Sequence, residues 1–347
     1  MASAFFCYYR AHSTKRSPML ILNSADVRRS LPMREAIDCA KSAFAALSDG
    51  RADVPLRGRL SIAPHDGLSL FMPAYVQDSS GEALAVKIVS LFPGNPARAL
   101  ALIQAAVLVL EADTGRPAAL LEGSTLTAIR TGAAGGAAVE LLSRRESRIL
   151  GLFGAGTQGR TQLEAACVVR DIETVWVFDA VEQQARRLAE EMAGVGRIPQ
   201  DVRVASSPAE VVAAADIICT ATTSATPVFS DPDLRPGVHI SAVGSYTPEM
   251  QELPGETVKR ASIWVDSRSA SLAEAGDLIR PIRAGLFGED HIAAELGEVV
   301  LGRATGRQSA GEITLFKSVG LAVQDAVAAG LAVKNARKLG IGNDVAF

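Results

Sequence analysis

The strongest constraint on this chain lies near its middle, where residues 148–180 read RILGLFGAGTQGRTQLEAACVVRDIETVWVFDA. The apolar run Ile149-Leu150-Gly151-Leu152-Phe153 predicts a buried parallel strand, and three glycines follow at the spacing G-x-G-x-x-G: Gly154, Gly156 and Gly159. A helix is predicted from Thr157 to Arg170, then a second β-rich run, Thr174-Val175-Trp176-Val177-Phe178, which ends at Asp179. Each part suits a dinucleotide. Gly154 permits a tight turn, Gly156 lets backbone approach a pyrophosphate, and Gly159 lets the helix pack close to the strand. The helix N-terminus offers unpaired N–H groups and the positive end of its dipole to the phosphates. Asp179, twenty residues after Gly159, is placed to accept hydrogen bonds from a ribose diol. Three spaced glycines alone would mean little; the strands, helix and terminal acid around them make the signal specific.

The remaining bulk properties exclude more than they identify. The chain has 347 residues, enough for two domains with sizeable cores. A net charge of −3 gives no electrostatic case for nucleic acid or an anionic membrane. The longest apolar run, Ala99 to Leu110, contains Gln104 and is too short to span a bilayer. Cys7, Cys39, Cys167 and Cys219 are scattered, with no CxxC spacing. Cys167 and Cys219 read as small core filler, and a reduced, cytoplasmic setting is expected. His12, His65, His239 and His291 are dispersed, and there is neither HExxH nor GxSxG, so no metal site and no hydrolase triad is expected.

Residues 1–18, with no acid and three basic residues, are expected to be a disordered tail, a transit peptide, or sequence upstream of a start at Met19. From Met19 the pattern becomes regular. A strand Met19–Leu22 and a helix Met33–Leu47, with Asn23 or Ser24 capping a turn between them, precede a β-rich block. That block comprises 54–62, 68–76, 83–92, 105–111 and 118–122, separated by His65-Asp66-Gly67, Ser79-Ser80-Gly81, Pro93-Gly94-Asn95-Pro96 and Asp113-Thr114-Gly115. Short connections predict an antiparallel sheet. A helix Ser124–Ser143, with Ser124 as its cap, is rich in small residues, which suits a close approach by backbone or ligand. Further strands are expected near 202–205, 216–220, 238–243 and 263–266, and a helix Glu312–Gly330 is expected to return to the first domain. The fold class is therefore α/β: a Rossmann dinucleotide-binding domain over 146–311, inserted into a discontinuous α+β domain with an antiparallel sheet over 19–145 plus 312–347.

Three cations stand out. Arg57 lies in VPLRGR, Lys87 in the apolar strand LAVKIV, and Arg130 on the small-residue helix. Each has an ordinary reading: Arg57 could face solvent, Lys87 could sit on an open sheet face, and Arg130 could pair with Glu122 or Glu140. A buried cation, however, needs an anionic partner. A substrate carboxylate is one candidate, gripped bidentately by arginine and as a point charge by lysine.

The stretches LAVKIVSLFPGNP, LEADTGRPAALLEGSTLTAIRTGAA, GLFGAGTQG, ADIICTATTSATPVF, HISAVGSYTPEMQEL, and ELGEVV followed by EITLFKSVGLAVQDAVAA resemble, in this order, the ornithine cyclodeaminase/μ-crystallin family. The resemblance covers nearly everything from Met19 onward. It implies a substrate-binding and dimerisation domain closed by the C-terminal helix, a Rossmann domain, and a homodimer. It also implies that Arg57, Lys87 and Arg130 bind the substrate carboxylate. Thr131, Ala155, Gly156, Gln158, Thr222, Val243, Gly244 and Ser318 resemble cofactor-contacting positions of the family. One departure is informative. The ornithine cyclodeaminases carry an aspartate two residues after the glycine of the V-G motif, whereas here Val243-Gly244-Ser245 leads to Tyr246. A phenol, with a reference pKa of about 10, is a poor substitute for a carboxylate base. The chain accordingly resembles the branch that reduces cyclic ketimine carboxylates.

The expected activity is NAD(P)H-dependent reduction of Δ1-pyrroline-2-carboxylate or Δ1-piperideine-2-carboxylate to L-proline or L-pipecolate. Asp179 followed by Ala180 favours NADH over NADPH, because a carboxylate repels a 2′-phosphate; Arg186 and Arg187 further along pull the other way. Tyr246 is a possible hydrogen-bond donor in the pocket or a packing residue. The alternatives are an alanine or N-alkyl amino-acid dehydrogenase, an ornithine cyclodeaminase, and a non-catalytic, crystallin-like small-ligand-binding protein.

Overall fold

A computed structural model describes residues 18–78 and 81–347. The expectation for the N-terminal segment, Pro18 apart, and the Ser79-Ser80 part of one turn lie outside the described residues. The first sheet contains β1 (Met19–Leu22), β2 (Ala52–Asp53), β3 (Gly58–Ile62), β4 (Gly67–Asp78), β5 (Gly81–Leu91), β6 (Ile103–Leu110) and β7 (Pro117–Glu122). Its order is β1-β7-β6-β5-β4-β2, with β3 also on β4. The pairings are antiparallel, as the short turns predicted, except for β1 beside β7. Of the stretch 54–62, read as one strand, only β3 (Gly58–Ile62) is strand, and 54–57 is a loop following β2. Pro55 has no N–H to donate, and the resulting loop carries Arg57.

The second sheet contains β8 (Ile149–Phe153), β9 (Thr174–Phe178), β10 (Val202–Val204), β11 (Ile217–Thr220), β12 (His239–Ala242), β13 (Ser262–Val265), β14 (Ile292–Glu295) and β15 (Thr314–Lys317). The order is β10-β9-β8-β11-β12-β15-β13-β14, and every pairing is parallel. From β8 the chain runs outward through β9 and β10, then crosses back to β11 and proceeds the other way. Such a reversal opens a crevice at the carboxyl ends of the two strands, the place where open α/β sheets bind ligands. A last strand, β16 (Asn343–Val345), pairs antiparallel with β1.

Two helix expectations need correction. The small-residue helix spans Gly123–Leu142, and its cap is Glu122 rather than Ser124. The Glu122 carboxylate reaches two orphan amides with one oxygen for each, accepting from Ser124 N and Thr125 N at 2.8 Å. The predicted helix Glu312–Gly330 is a strand followed by a helix: Thr314–Lys317 is the buried β15, and the helix is Ala322–Leu339. The run Ile313-Thr314-Leu315-Phe316 is apolar and β-branched, and it fills the slot between β12 and β13. The chain thus leaves the second sheet after Lys317, not at 312.

Helices Met33–Ser48, Gly123–Leu142 and Ala322–Leu339 cover one face of the first sheet and share its core. Along β5 the buried side chains are Ala85, Lys87 and Val89, while Leu84, Val86 and Ile88 point the other way. The small-residue stretch lets helix Gly123–Leu142 press against helix Thr157–Val169: a Cβ on Gly132 would meet the Thr161 carbonyl at 2.5 Å. Cys167 and Cys219 are buried as expected, and burial pushes both thiols up to about 12.

Candidate active site

The glycine turn connects β8 to helix Thr157–Val169. Gly154 has φ +95°, and a Cβ there would stand 2.6 Å from the Ala221 carbonyl; one on Gly159 would stand 1.9 Å from the Gly154 carbonyl. Both therefore serve the protein's own packing. Gly156, the residue before the helix, has nothing within 4 Å of a Cβ, so open space lies over the helix N-terminus. Gln158 Oε1 is buried there without a partner among the described residues. Asp179 ends β9 and is drawn onto the turn: it accepts from Ala155 N and Val181 N, both at 2.8 Å. Arg187 is paired with Glu191 at 2.7 Å and Arg186 with Glu182, so both guanidiniums are engaged along their own helix. An exposed helix start, an orphaned amide and an acid beyond it fit an adenine dinucleotide.

Thr222 and Gly244 follow β11 and β12, and one fully buried carboxylate ties their loops together. Glu252 accepts from Thr220 Oγ1 at 2.9 Å, Thr222 N at 2.6 Å, Gly244 N at 2.8 Å and Ser245 N at 3.2 Å. Asp277, also buried, accepts from Glu252 N and Leu253 N and pairs with Lys317 at 3.1 Å. Tyr246, next in line, is 38 % exposed, and its hydroxyl has no hydrogen bond among the described residues.

The three cations singled out from the sequence converge on one turn. Lys87 is 2 % exposed and pairs with Asp325 Oδ2 at 2.6 Å. Arg130 Nε donates to Asp325 Oδ1 at 2.9 Å, and its Nη1 to Gln324 Oε1 at 2.8 Å. Arg57 Nη2 donates to the Gly320 carbonyl at 2.9 Å and pairs with Glu274 at 3.0 Å. Gly320 has φ +78°, and a Cβ on it would meet Arg130 Nη1 at 2.6 Å, so only glycine fits under that guanidinium. The turn hangs from the second sheet: Asp266, just past β13, accepts from Ser318 Oγ at 2.8 Å and from Val319 N and Gly320 N at 2.9 Å each. Burial pulls the Lys87 ammonium down to about 8, opposed by Asp325 and assisted by Arg130 and Arg57.

The ordinary readings thus fail for Lys87 and Arg130. Glu122 is spent on its helix cap, and Glu140 pairs with Arg34 and Lys41. Sequence reasoning missed Asp325, Glu252 and Glu274. Asp325 had a usable signal, as the lone acid in the small apolar stretch LAVQDAVAA, facing the partner problem that a buried lysine poses. A cavity of about 150 Å³ opens beside Arg57, lined also by Met72, Ser267, Glu274, Leu321 and Ala322. A larger one of about 440 Å³, bounded by Glu35, Cys39, Val327 and Lys334, includes none of these site residues.

Residues 18–339 match the sequence profile of the ornithine cyclodeaminase/mu-crystallin family. The chain belongs to that family. It is 40 % identical to a Δ1-pyrroline-2-carboxylate reductase of Bacillus cereus, over 95 % of this chain and 100 % of that one. Among solved structures, the Thermococcus litoralis Δ1-pyrroline-2-carboxylate reductase in complex with NADH and L-proline superposes with a TM-score of 0.89 at 43 % identity, covering 94 % of this chain and all of the other. An archaeal alanine dehydrogenase dimer with bound NAD gives 0.87 at 33 % identity, covering 95 % and 99 %.

Proposed function

We propose that this protein is an NADH-dependent reductase of a cyclic ketimine carboxylate, converting Δ1-pyrroline-2-carboxylate or Δ1-piperideine-2-carboxylate to L-proline or L-pipecolate. The observation that carries the reading is the convergence of Arg57, Lys87 and Arg130 on residues 320–325, just beyond the end of β15, in a chain so similar to two Δ1-pyrroline-2-carboxylate reductases. In this reading Gly154, Ala155, Gly156, Gln158 and Gly159 hold the pyrophosphate and Asp179 the ribose. Thr131, Thr222, Val243, Gly244 and Ser318 line the rest of the cofactor cleft. NADH, when bound, supplies the hydride.

The protein's own work is placement. Lys87 and Arg130 retain N–H donors free of protein partners among the described residues, and Arg57 can exchange Glu274 for a substrate carboxylate. Pinning the carboxylate fixes the adjacent C=N carbon, so that hydride transfer becomes a matter of orientation within the cleft. The ring nitrogen carries its own activating proton. Tyr246 occupies the sequence position where a cyclodeaminase would carry its aspartate, which disfavours ammonia elimination. Asp179 and the self-paired Arg186 and Arg187 support NADH over NADPH.

We further propose a homodimer. The outward face of the first sheet presents Phe71, Leu84, Val86, Ile88, Leu108 and Leu120, all exposed or half-buried. A sheet apolar on both faces needs cover on both, and a second copy of the chain is the proposed occupant; an archaeal relative is itself a dimer. Among the described residues no helix is long and apolar enough to cross a membrane. Cys167 and Cys219, buried as thiols rather than joined in a disulfide, suit a cytoplasmic location.

Loss of NADH absorbance with each cyclic imine tests the activity, with pyruvate plus ammonia as the control for an alanine dehydrogenase. Turnover of a cyclic imine is expected. Absence of turnover with both imines, on either NADH or NADPH, refutes the proposal.

A further inference from the structure

A carboxylate-binding site with a buried carboxylate at its centre needs a reason. Asp325 is 1 % exposed, in the first turn of helix Ala322–Leu339, and each of its oxygens meets a different cation of the cluster. The charged groups around Lys87 can be enumerated by element. Asp325 faces it from helix Ala322–Leu339, Arg130 from helix Gly123–Leu142, and Arg57 from the loop before β3, with Glu274 behind Arg57. The strands on either side place Met72 and Val107 opposite Lys87 and add no charge. Without Asp325 an ammonium would be buried between two guanidiniums, an arrangement that favours the neutral amine. A neutral amine is a weak ligand for a carboxylate.

We propose that Asp325 is the positioning residue of the substrate site: it keeps Lys87 protonated and aimed, fixes the Arg130 fork, and leaves the cluster one uncompensated positive charge, suited to a monocarboxylate. The two buried cations, Lys87 and Arg130, share one buried anion, Asp325, so one positive charge is left for a substrate carboxylate. Asp325 need not touch the substrate, because it acts through Lys87 and Arg130. Gln324 assists by holding Arg130 Nη1 while accepting from Leu321 N at 3.2 Å, which docks the fork to the start of the helix.

The inference rests on the imine-reductase reading, and one experiment separates their fates. Pyrrole-2-carboxylate, a planar analogue whose ring nitrogen and carboxylate do not titrate in this interval, is titrated calorimetrically into the NADH-loaded enzyme across roughly pH 6 to pH 10. The wild type is expected to lose affinity as the pH rises through about 8, where Lys87 gives up its proton. Asp325→Asn removes the counter-charge, so the midpoint is expected to fall by at least about one pH unit, with NADH affinity retained. A merely structural role would weaken binding without moving the midpoint. If the Asn variant does not fold, Asp325→Glu carries the test: the charge and midpoint stay, while displacement of both cations weakens binding about tenfold. An unmoved midpoint in Asp325→Asn, or unchanged affinity in Asp325→Glu, overturns the inference alone. A wild type with no affinity for the analogue overturns the imine-reductase reading and this inference with it.

Discussion

The two regions proposed to bind anions, the nucleotide turn and the carboxylate pocket, are built on opposite principles. The nucleotide turn draws on 153–179, one contiguous βαβ unit, and its donors are backbone amides at a helix start. The carboxylate pocket draws on residues 57, 87, 130 and 320–325, from four separate segments, and its donors are side-chain cations held by buried acids. Backbone donors carry no net charge and need no counter-ion, whereas each buried cation must bring its own. The first site is therefore fixed by steric fit, and its weak points are glycines. The second is fixed by charge balance, and its weak points are ion pairs.

Removing one member of the charge-balanced site should have the largest effect. Arg130→Met leaves Asp325 without its second partner and strips the fork from the substrate. It should cut kcat/KM for the cyclic imine about a thousandfold, the scale of ~4 kcal/mol for a broken buried pair. NADH affinity, followed by fluorescence quenching, should stay within about threefold; a comparable loss of NADH binding would show that the two sites are not separable. The converse test is Gly159→Val, whose side chain would run into the Gly154 carbonyl. NADH binding should weaken about a hundredfold, matching about 3 kcal/mol of overpacking, while pyrrole-2-carboxylate still protects the protein against thermal unfolding.

Acidity distinguishes the sites next. Burial pulls the Lys87 ammonium down to about 8, so kcat/KM for the imine should fall up to tenfold per pH unit above that value. Below about 8 the ammonium is charged and the activity should level off. NADH affinity should stay flat over the same interval, because amide donors do not titrate; a parallel fall would put the titrating group in the nucleotide site. The smallest change is Asp179→Ser, which trades a charged acceptor for a neutral one. It should lower catalytic efficiency with NADH about tenfold and raise that with NADPH. A wild type that already prefers NADPH would remove Asp179 from the comparison.

The same contrast explains what could be read from the residues alone. The strand, glycines, helix and acid of the nucleotide turn are contiguous, so periodicity and spacing exposed them. The antiparallel block was legible for the same reason, because short turns join neighbouring strands. Arg57, Lys87 and Arg130 were visible as misplaced charges, but their mutual proximity depends on long-range folding that no local pattern encodes. Asp325 and Glu274 were missed because their roles are defined by cations roughly two hundred residues or more away, and Glu252 because Thr220 and Thr222 lie about thirty residues before it. The helix expected at Glu312–Gly330 failed at Thr314–Lys317 because a buried apolar tetrapeptide reads alike as helix or strand. The empty slot between β12 and β13 decided it.

That slot has a consequence for the order of assembly. The second sheet closes only when β15 arrives, and the first sheet's core needs helix Ala322–Leu339, made after it. A chain emerging from the ribosome therefore presents the strands β1 to β7 long before the last of their three covering helices exists. The parallel sheet can complete first and hold the two ends of the other lobe close, shortening the loop that remains to be closed. Premature termination anywhere before Lys317 would leave both lobes unfinished, whereas a stop just after it would spare the nucleotide lobe and expose the substrate lobe to aggregation.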